Sequence, residues 1–165
     1  MATEIKFYSK GTEHGYMSNF AHYQIKIGRK VYKTSEHFYQ SQKYKGTSWE
    51  TKVKNAAGAM EAARLGRDKK GPLRKDWEQV KDNVMREAVE AKFRQHPELT
   101  QKLLETGDAR LIEHTENDAY WADGGDGTGK NMLGVILMEV RSKLQKEAEI
   151  RKEAMKWKGL PDPVC

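Results

Sequence analysis

The segment from Ser35 to Tyr44 carries side chains that could act together on a substrate. On an α-helix, Glu36, Gln40 and Lys43 are spaced i, i+4 and i+7, so all three project from one face. A carboxylate can activate water or stabilise a developing cation, and a desolvated lysine can attack a carbonyl to form a Schiff base. The spacing is compatible with a catalytic stripe, but by itself it is more typical of a charged stripe on a surface helix.

A second candidate is the glycine-rich segment 120–131, YWADGGDGTGKN. Its four glycines allow close backbone approach to a ligand and a nest of N–H donors. The spacing GxxxxGK is present, but Asn131 replaces the Ser or Thr of a P-loop, and no clear strand leads into the loop. Asp123 and Asp126 do not have the spacing of an EF-hand. The segment is therefore either a ligand-facing loop or a tight structural turn.

Basic side chains bracket a predicted turn between residues 64 and 77. Arg64 and Arg67 precede the turn and Arg74 follows it, and such groups can hold phosphates. Trp77 lies at the start of a predicted long helix, where it can stack on a flat base or pack in the core. Both alternatives remain open on the sequence alone.

The composition limits the chemistry that is available. The chain has 165 residues and 19.0 kDa, the size of one domain, with 33% charged residues and a mean hydropathy of −0.91. The one cysteine is Cys165, so disulfides and cysteine-based zinc sites are excluded. The five histidines lack metal-site spacing, and no membrane span or N-terminal signal is apparent. We expect a cytoplasmic or nuclear protein that uses neither a metal nor a cofactor.

The net charge of +6 suggests a polyanionic partner. Residues 141–165 contain seven basic and four acidic residues, so half of the excess, +3, lies in this tail. The tail is either an electrostatic patch or an ordinary solvated helical face.

The predicted elements must position these groups. Ile5–Tyr8 and Ala109–Ile112 are expected to form strands, and residues 23–32 a hairpin that turns at Gly28-Arg29. Helices are expected over 36–45, capped by Thr34 or Ser35, and in pieces over 50–65. Further helices are expected over 76–95, around 99–104, and from 133 onward. The pattern predicts an α+β, mainly helical single domain over 4–145 and a charged helical extension over 146–165.

Several motifs in order resemble the NADAR (YbiA-like) N-glycosidase family. The quoted segments are Phe7-Tyr8, Gly15–Phe20, Thr34–Lys43, Leu65–Arg67, Leu73–Glu78, Val84-Met85, Lys92-Phe93, Leu111–Glu113, Asn117–Trp121, Gly129–Gly134, Leu137-Met138 and Arg141. The resemblance covers about residues 5–144, which is nearly the whole predicted domain.

The resemblance implies a YbiA-like fold and cleavage of an N-glycosidic bond between ribose and a base-like heterocycle. It implies that Glu36, Lys43 and Asp123 are catalytic: Glu36 beside the sugar C1′, Lys43 as an imine-forming amine, and Asp123 in sugar binding or proton transfer. The substrate-binding residues that we expect are Asn19, Gln40, Arg67, Trp77, Trp121, Asp126, Gly127, Gly129 and Asn131. One departure is Ala122, where many relatives have Gly, which could alter the approach of the backbone to the base.

We favour ADP-ribosylated guanine in nucleic acid as the substrate, because the pI of about 9.3 and the basic tail suit nucleic acid. The enzymatic alternative is hydrolysis of the ribosylamino-pyrimidine phosphates of early riboflavin synthesis. A non-catalytic ADP-ribose or nucleic-acid binding module is the alternative of another class. We expect neither a membrane association nor an obligate protein partner.

Overall fold

Helices make up about half of the chain, and residues 3–161 are described by the computed structural model. The strands are β1 (Glu4–Phe7), β2 (Ile25–Ile27), β3 (Lys30–Tyr32) and β4 (Arg110–Glu113). The helices are α1 (Ser35–Gln42), α2 (Ser48–Lys54), α3 (Ala59–Gly66), α4 (Trp77–Gln95), α5 (Pro97–Glu105) and α6 (Met132–Trp157), with a short 3-10 turn at Gly15–Met17. The mainly helical α+β class predicted from the sequence is confirmed.

The helix α1 begins as the sequence predicts and ends earlier. The Thr34 hydroxyl caps it by accepting a hydrogen bond from the backbone N–H of His37 at 3.2 Å. The helix ends at Gln42, because the backbone N–H of Tyr44 bonds to the Ser41 carbonyl at 3.0 Å in a tighter turn. All eight residues of α1 are buried, so the alternative of a charged surface helix is wrong.

Two small sheets flank the helices. β2 and β3 form the predicted hairpin, with Gly28 at a φ of +62° in its turn. β1 and β4 pair in parallel, with Phe7 opposite Glu113. Since side chains alternate along a strand, Ile5, Phe7, Leu111 and Glu113 share one face of this pair. Phe7 and Leu111 are buried in the main core, so this is the inner face.

The main core forms where α4 packs against α1, α5 and α6. A smaller apolar cluster lies beneath α2 and α3, around Tyr44, Val53 and Leu65. Tyr44 also donates a hydrogen bond from its hydroxyl to the Leu65 carbonyl at 2.7 Å, which ties the end of α1 to α3. These contacts fix α1 between α3 and α4, the position from which its polar side chains act.

The long helix α6 runs without a break through the predicted boundary at residues 145 and 146. Its extension is tied to α4 by two hydrogen bonds from Arg94 to the Glu147 carboxylate, at 2.7 and 2.9 Å. Farther along, Ile150 and Trp157 are exposed. Residues 162–165, including Cys165, lie outside the described residues. Between residues 3 and 161, no helix is apolar enough over a sufficient length to cross a membrane.

Candidate active site

Glu36 is a buried carboxyl in the first turn of α1, with 7% of its surface exposed. Its backbone N–H donates to the Asn19 carbonyl at 3.2 Å, and its Oε1 accepts a hydrogen bond from Gln40 Nε2 at 2.7 Å. Burial raises the pKa of Glu36, although the amide of Gln40 and the charge of Lys43 oppose the shift. The helical spacing therefore does bring Glu36 and Gln40 into contact.

Lys43 lies at the C-cap of α1, where its Nζ donates to the Gly66 carbonyl at 3.0 Å. Its Nζ also lies 5.7 Å from the ring centroids of both Tyr39 and Trp77. Burial lowers the pKa of Lys43; Glu36 opposes that shift and Arg67 adds to it. An amine in this environment gives up its proton more readily than a surface lysine, as imine chemistry requires.

Aromatic rings wall this pair of groups. The ring of Tyr39 lies 5.2 Å from Trp77 and 5.4 Å from Trp121, measured between centroids, and Trp121 lies 4.9 Å from Tyr120. Trp77 is 6% exposed and packs in the main core, whereas Trp121 is half-buried. Burial also raises the pKa of Tyr39, so its hydroxyl stays protonated. Tyr39 is not among the substrate-binding residues expected from the sequence.

Asn19 supports Glu36 from the preceding segment. Its side-chain Oδ1 accepts a hydrogen bond from the Ser35 hydroxyl at 2.9 Å, and its Nδ2 lies 3.3 Å from the Met85 sulfur. With 8% of its surface exposed, Asn19 holds the start of α1 in place. Arg67, at the C-cap of α3, is exposed and near enough to Glu36 and Lys43 to change the pKa of each.

The structure does not place Asp123 with Glu36 and Lys43. Its Oδ2 lies 2.7 Å from His114 Nδ1, and its Oδ1 accepts from the backbone amides of Thr115 and Gly125. Burial alone would raise the pKa of Asp123, but these hydrogen bonds outweigh burial and lower it. Asp123 lines a cavity of about 190 Å³ beside the outer face of β1 and β4, together with Asp126 and Gly127.

The rest of the glycine-rich loop is held by internal contacts. Asp126 is exposed and accepts hydrogen bonds from the backbone and hydroxyl of Thr128. A Cβ on Gly129 would lie 2.5 Å from the Ala122 carbonyl oxygen, so only glycine fits there. Asn131 adopts a φ of +52°. Its side-chain amide accepts a hydrogen bond from the Glu113 N–H and donates one to the Leu111 carbonyl, so it is fixed to the backbone of β4. These contacts favour a tight structural turn for this part of the loop.

Ala122, at the position where many relatives have glycine, is completely buried. Its methyl group therefore occupies the protein interior rather than a ligand surface. Its carbonyl accepts the backbone N–H of Asn131 at 3.0 Å, within the same loop.

Two acidic residues near the site were not predicted to have a role. Glu113 lies at the end of β4 on the inner face, and Asp118 accepts two backbone hydrogen bonds, from Tyr120 and Trp121 at 2.8 Å. Burial raises the pKa of Glu113 to about 8, and repulsion from Glu36 adds to this. A sequence signal existed, because Glu113 follows Leu111 by two positions in a strand and so shares its apolar face. Within residues 3–161, no group of three or more possible metal ligands is present.

Residues 6–145 match the NADAR domain family. The chain is 52% identical over 142 residues to N-glycosidase YbiA of Escherichia coli, which covers 86% of this chain and 89% of that protein. It is 40% identical over 144 residues to an N-glycosidase of Nostoc punctiforme, covering 86% of this chain and 92% of that protein.

A riboflavin biosynthesis protein of Vibrio vulnificus is 43% identical over 148 residues, which is 90% of this chain and 40% of that longer protein. The NMR structure of E. coli YbiA superposes with a TM-score of 0.82 at 51% identity, covering 89% of this chain and 88% of that one. The YbiA-like fold predicted from the sequence is confirmed by this match.

Proposed function

Because the chain belongs to the NADAR family, we propose that it is an N-glycosidase that hydrolyses the bond between a phosphorylated ribose and a base-like heterocycle. The observation that carries the proposal is the buried Glu36 of α1 and the half-buried Lys43 at the C-cap of the same helix, walled by Tyr39, Trp77 and Trp121. A carboxylate, an amine of lowered pKa and flat aromatic surfaces are what such a reaction uses.

Glu36 acts on the sugar. Cleavage of an N-glycosidic bond leaves positive charge on C1′, and a desolvated carboxylate beside that carbon stabilises the charge strongly. Gln40 donates its amide to one oxygen of Glu36 and so fixes the direction of the carboxylate. The other oxygen can then accept a proton from the attacking water.

Lys43 provides a covalent route. Its neutral Nζ attacks C1′ as the C1′–N bond breaks, and the bonding electron pair leaves with the base. Transfer of one proton from that nitrogen to the ring oxygen opens the sugar and leaves a protonated imine, which water hydrolyses to the free sugar and the original amine. The Gly66 carbonyl orients the amine in the resting enzyme.

The remaining predicted groups bind the substrate. Trp121 is half-buried at the aromatic wall and offers a face on which the heterocycle can stack. Arg67 is exposed beside Glu36 and Lys43, where its guanidinium can hold a ribose phosphate. No metal or cofactor is assigned a role in this proposal.

Guanine ADP-ribosylated in nucleic acid is the substrate that we favour. The exposed basic side chains of the α6 extension support it, because such groups hold phosphates of a polynucleotide. The ribosylamino-pyrimidine phosphates are a second candidate, and the similarity to a riboflavin biosynthesis protein of V. vulnificus favours them. A binding module without turnover is disfavoured, because binding alone does not require a buried carboxylate next to an amine of lowered pKa.

Release of the free base from the two substrates, followed side by side, tests the proposal. We expect turnover of at least one, and about a 100-fold or greater loss in Glu36→Gln with substrate binding retained. Glu87→Gln, an exposed position on α4, is the matched control and should keep full activity. Tight ADP-ribose binding without release of either base would instead establish the binding module.

A further inference from the structure

We propose that Glu113 is a second catalytic carboxyl of this site and that it donates a proton to the departing base. The inference rests on the proposed N-glycosidase function and adds a residue to it. A general acid of this kind is needed because the electron pair of the broken C1′–N bond would otherwise remain on the heterocycle as a negative charge.

The fold fixes the position of Glu113. It is the last residue of β4 and lies opposite Phe7 of β1, on the inner face of the strand pair. Its backbone N–H donates to Asn131 Oδ1 at 2.9 Å, and its carbonyl accepts from the Asp123 N–H at 2.9 Å. Because the backbone is clamped on both sides, the side chain is held on the inner face, toward the main core to which α1 contributes Phe38 and Tyr39.

Glu113 is half-buried, and its surroundings favour the protonated form of its carboxyl. No hydrogen bond joins this carboxyl to another side chain or amide between residues 3 and 161. The charged groups that act on it are all acidic: Glu36 from α1, and Asp118 and Asp123 from the loop before α6. Burial and these three carboxylates raise the pKa of Glu113 to about 8, so the acid form predominates at neutral pH.

Glu36 is also buried, and burial raises its pKa, but it has partners that Glu113 lacks. It accepts a hydrogen bond from Gln40 and lies near the positive charges of Lys43 and Arg67, all of which oppose that shift and favour the ionised form. A carboxyl whose charge is supported by a hydrogen bond and nearby cations, together with a carboxyl that has no such partners, is a usual arrangement for a base and an acid acting on one bond. Glu36 therefore serves as the carboxylate and Glu113 as the acid.

The step balances in protons and electrons. As the C1′–N bond breaks, its electron pair goes to the base nitrogen, and Glu113 transfers its proton to the base. Either Lys43 Nζ or water forms the new bond to C1′; in both routes one water is consumed in reaching the free sugar, and its surplus proton passes to Glu36. Release of that proton to solvent and reprotonation of Glu113 restore the starting state, with one water consumed for each bond cleaved.

Glu113→Gln tests the proton transfer, because the amide keeps the shape of the side chain but cannot serve as the acid. On the base-bearing substrate we expect kcat to fall about 100-fold or more. A nitrophenyl ribose phosphate has a leaving group that needs no proton, so its cleavage should fall by less than about threefold in the same variant. Glu36→Gln should lose both reactions, and exposed Glu116→Gln is the control that should lose neither.

The pH profile gives a second readout. In the wild type, kcat/KM for the base-bearing substrate should fall above pH about 8 as Glu113 ionises. Residual activity in Glu113→Gln should lack that alkaline fall. A merely structural role for Glu113 would lower activity on both substrates equally and would leave the profile unchanged.

The outcomes separate the two proposals. A wild type that releases neither base overturns the proposed function itself. A wild type that is active, with Glu113→Gln within about threefold of it on the base-bearing substrate, overturns the role of Glu113 alone. If Glu113→Gln does not fold, Glu113→Ala assayed with added formate replaces it: rescue of base release by the small acid supports the role, and a folded variant without rescue contradicts it.

Discussion

Gly66→Ala is expected to reduce turnover much more than it reduces stability. Gly66 is the last residue of α3, and a Cβ built on it would lie 1.8 Å from Gln40 Oε1 and 2.5 Å from Gln40 Cδ. Non-bonded heavy atoms settle about 3.5 Å apart, so the amide of Gln40 must move by roughly 1.5 Å. That movement breaks the hydrogen bond by which Gln40 orients Glu36.

The opposing terms in the free energy of unfolding nearly cancel. Replacing glycine with alanine at a compatible backbone angle stabilises by about 0.4–1 kcal/mol through the unfolded chain. Displacing a buried side chain costs about 1–3 kcal/mol, at the low end here because the atoms in conflict belong to the flexible end of Gln40. We expect a net loss of no more than about 0.6 kcal/mol, whereas misplacing a catalytic group by about 1 Å costs about 100-fold in rate.

The assay combines urea unfolding with kcat for base release. The matched control is Gly58→Ala at the other end of α3, where the backbone is extended and nothing lies within 4 Å of the new Cβ. That control should stay within about threefold of wild-type activity. In a Gln40→Ala background no side chain clashes with the new Cβ, so Gly66→Ala should stabilise the protein there. The difference between the effects of Gly66→Ala in the two backgrounds measures the energetic coupling of the two sites.

Wild-type kcat in Gly66→Ala would refute this reasoning. So would strict additivity of the two substitutions in the free energy of unfolding, since it would mean that Gly66 does not leave room for Gln40. Equal loss of activity in Gly58→Ala would attribute the effect to α3 as a whole rather than to the contact with Gln40.

Three further predictions concern other parts of the molecule. Burial lowers the pKa of Lys92 to about 7, so between pH 7 and the unfolded pKa of 10.5 the unfolded chain binds more protons than the folded one. The free energy of unfolding of the wild type relative to Lys92→Met, measured in urea, should therefore rise with pH by up to about 1.4 kcal/mol per pH unit over this range. Parallel pH curves for the two proteins would contradict this. Borohydride added during turnover should attach the substrate sugar to Lys43, detected by peptide mass, and no adduct should form in Lys43→Ala; active turnover without any adduct in the wild type would leave the amine only an electrostatic role. Neutralising the exposed basic residues of the α6 extension should lower kcat/KM for an oligonucleotide substrate and weaken its salt dependence, without affecting the free pyrimidine phosphate. An equal loss of kcat/KM on the pyrimidine phosphate would exclude a nucleic-acid contact. The residues to replace with Gln are Arg151, Lys152, Lys156 and Lys158.

Local patterns were sufficient to predict most of the elements. Thr34 marks the start of α1 by capping chemistry, and Gly28-Arg29 marks the turn of the hairpin. The helical spacing also brought Glu36 and Gln40 together correctly, because residues four apart on a helix are always neighbours. These features depend on a few adjacent residues, so the sequence alone is enough to predict them.

The pairing of β1 with β4 could not be predicted in this way. Residues Glu4 and Arg110 are partners in the register although more than one hundred positions separate them. A short strand carries no local mark of its partner, and only the packing of the chain between them brings the two together. The inner-face position of Glu113 follows from that pairing.

The amino-acid sequence by itself determined the helices, the hairpin, the family motifs and the contact between Glu36 and Gln40 on α1. Only the tertiary structure decided that every side chain of α1 is buried, that Gly66 supplies the acceptor for Lys43, and that Glu113 shares its surroundings with Glu36. The physical reason is that periodicity is a local property, whereas desolvation is not. The ionisation of a carboxyl or an amine depends on which distant segments exclude water from it, and those segments meet only in the folded chain.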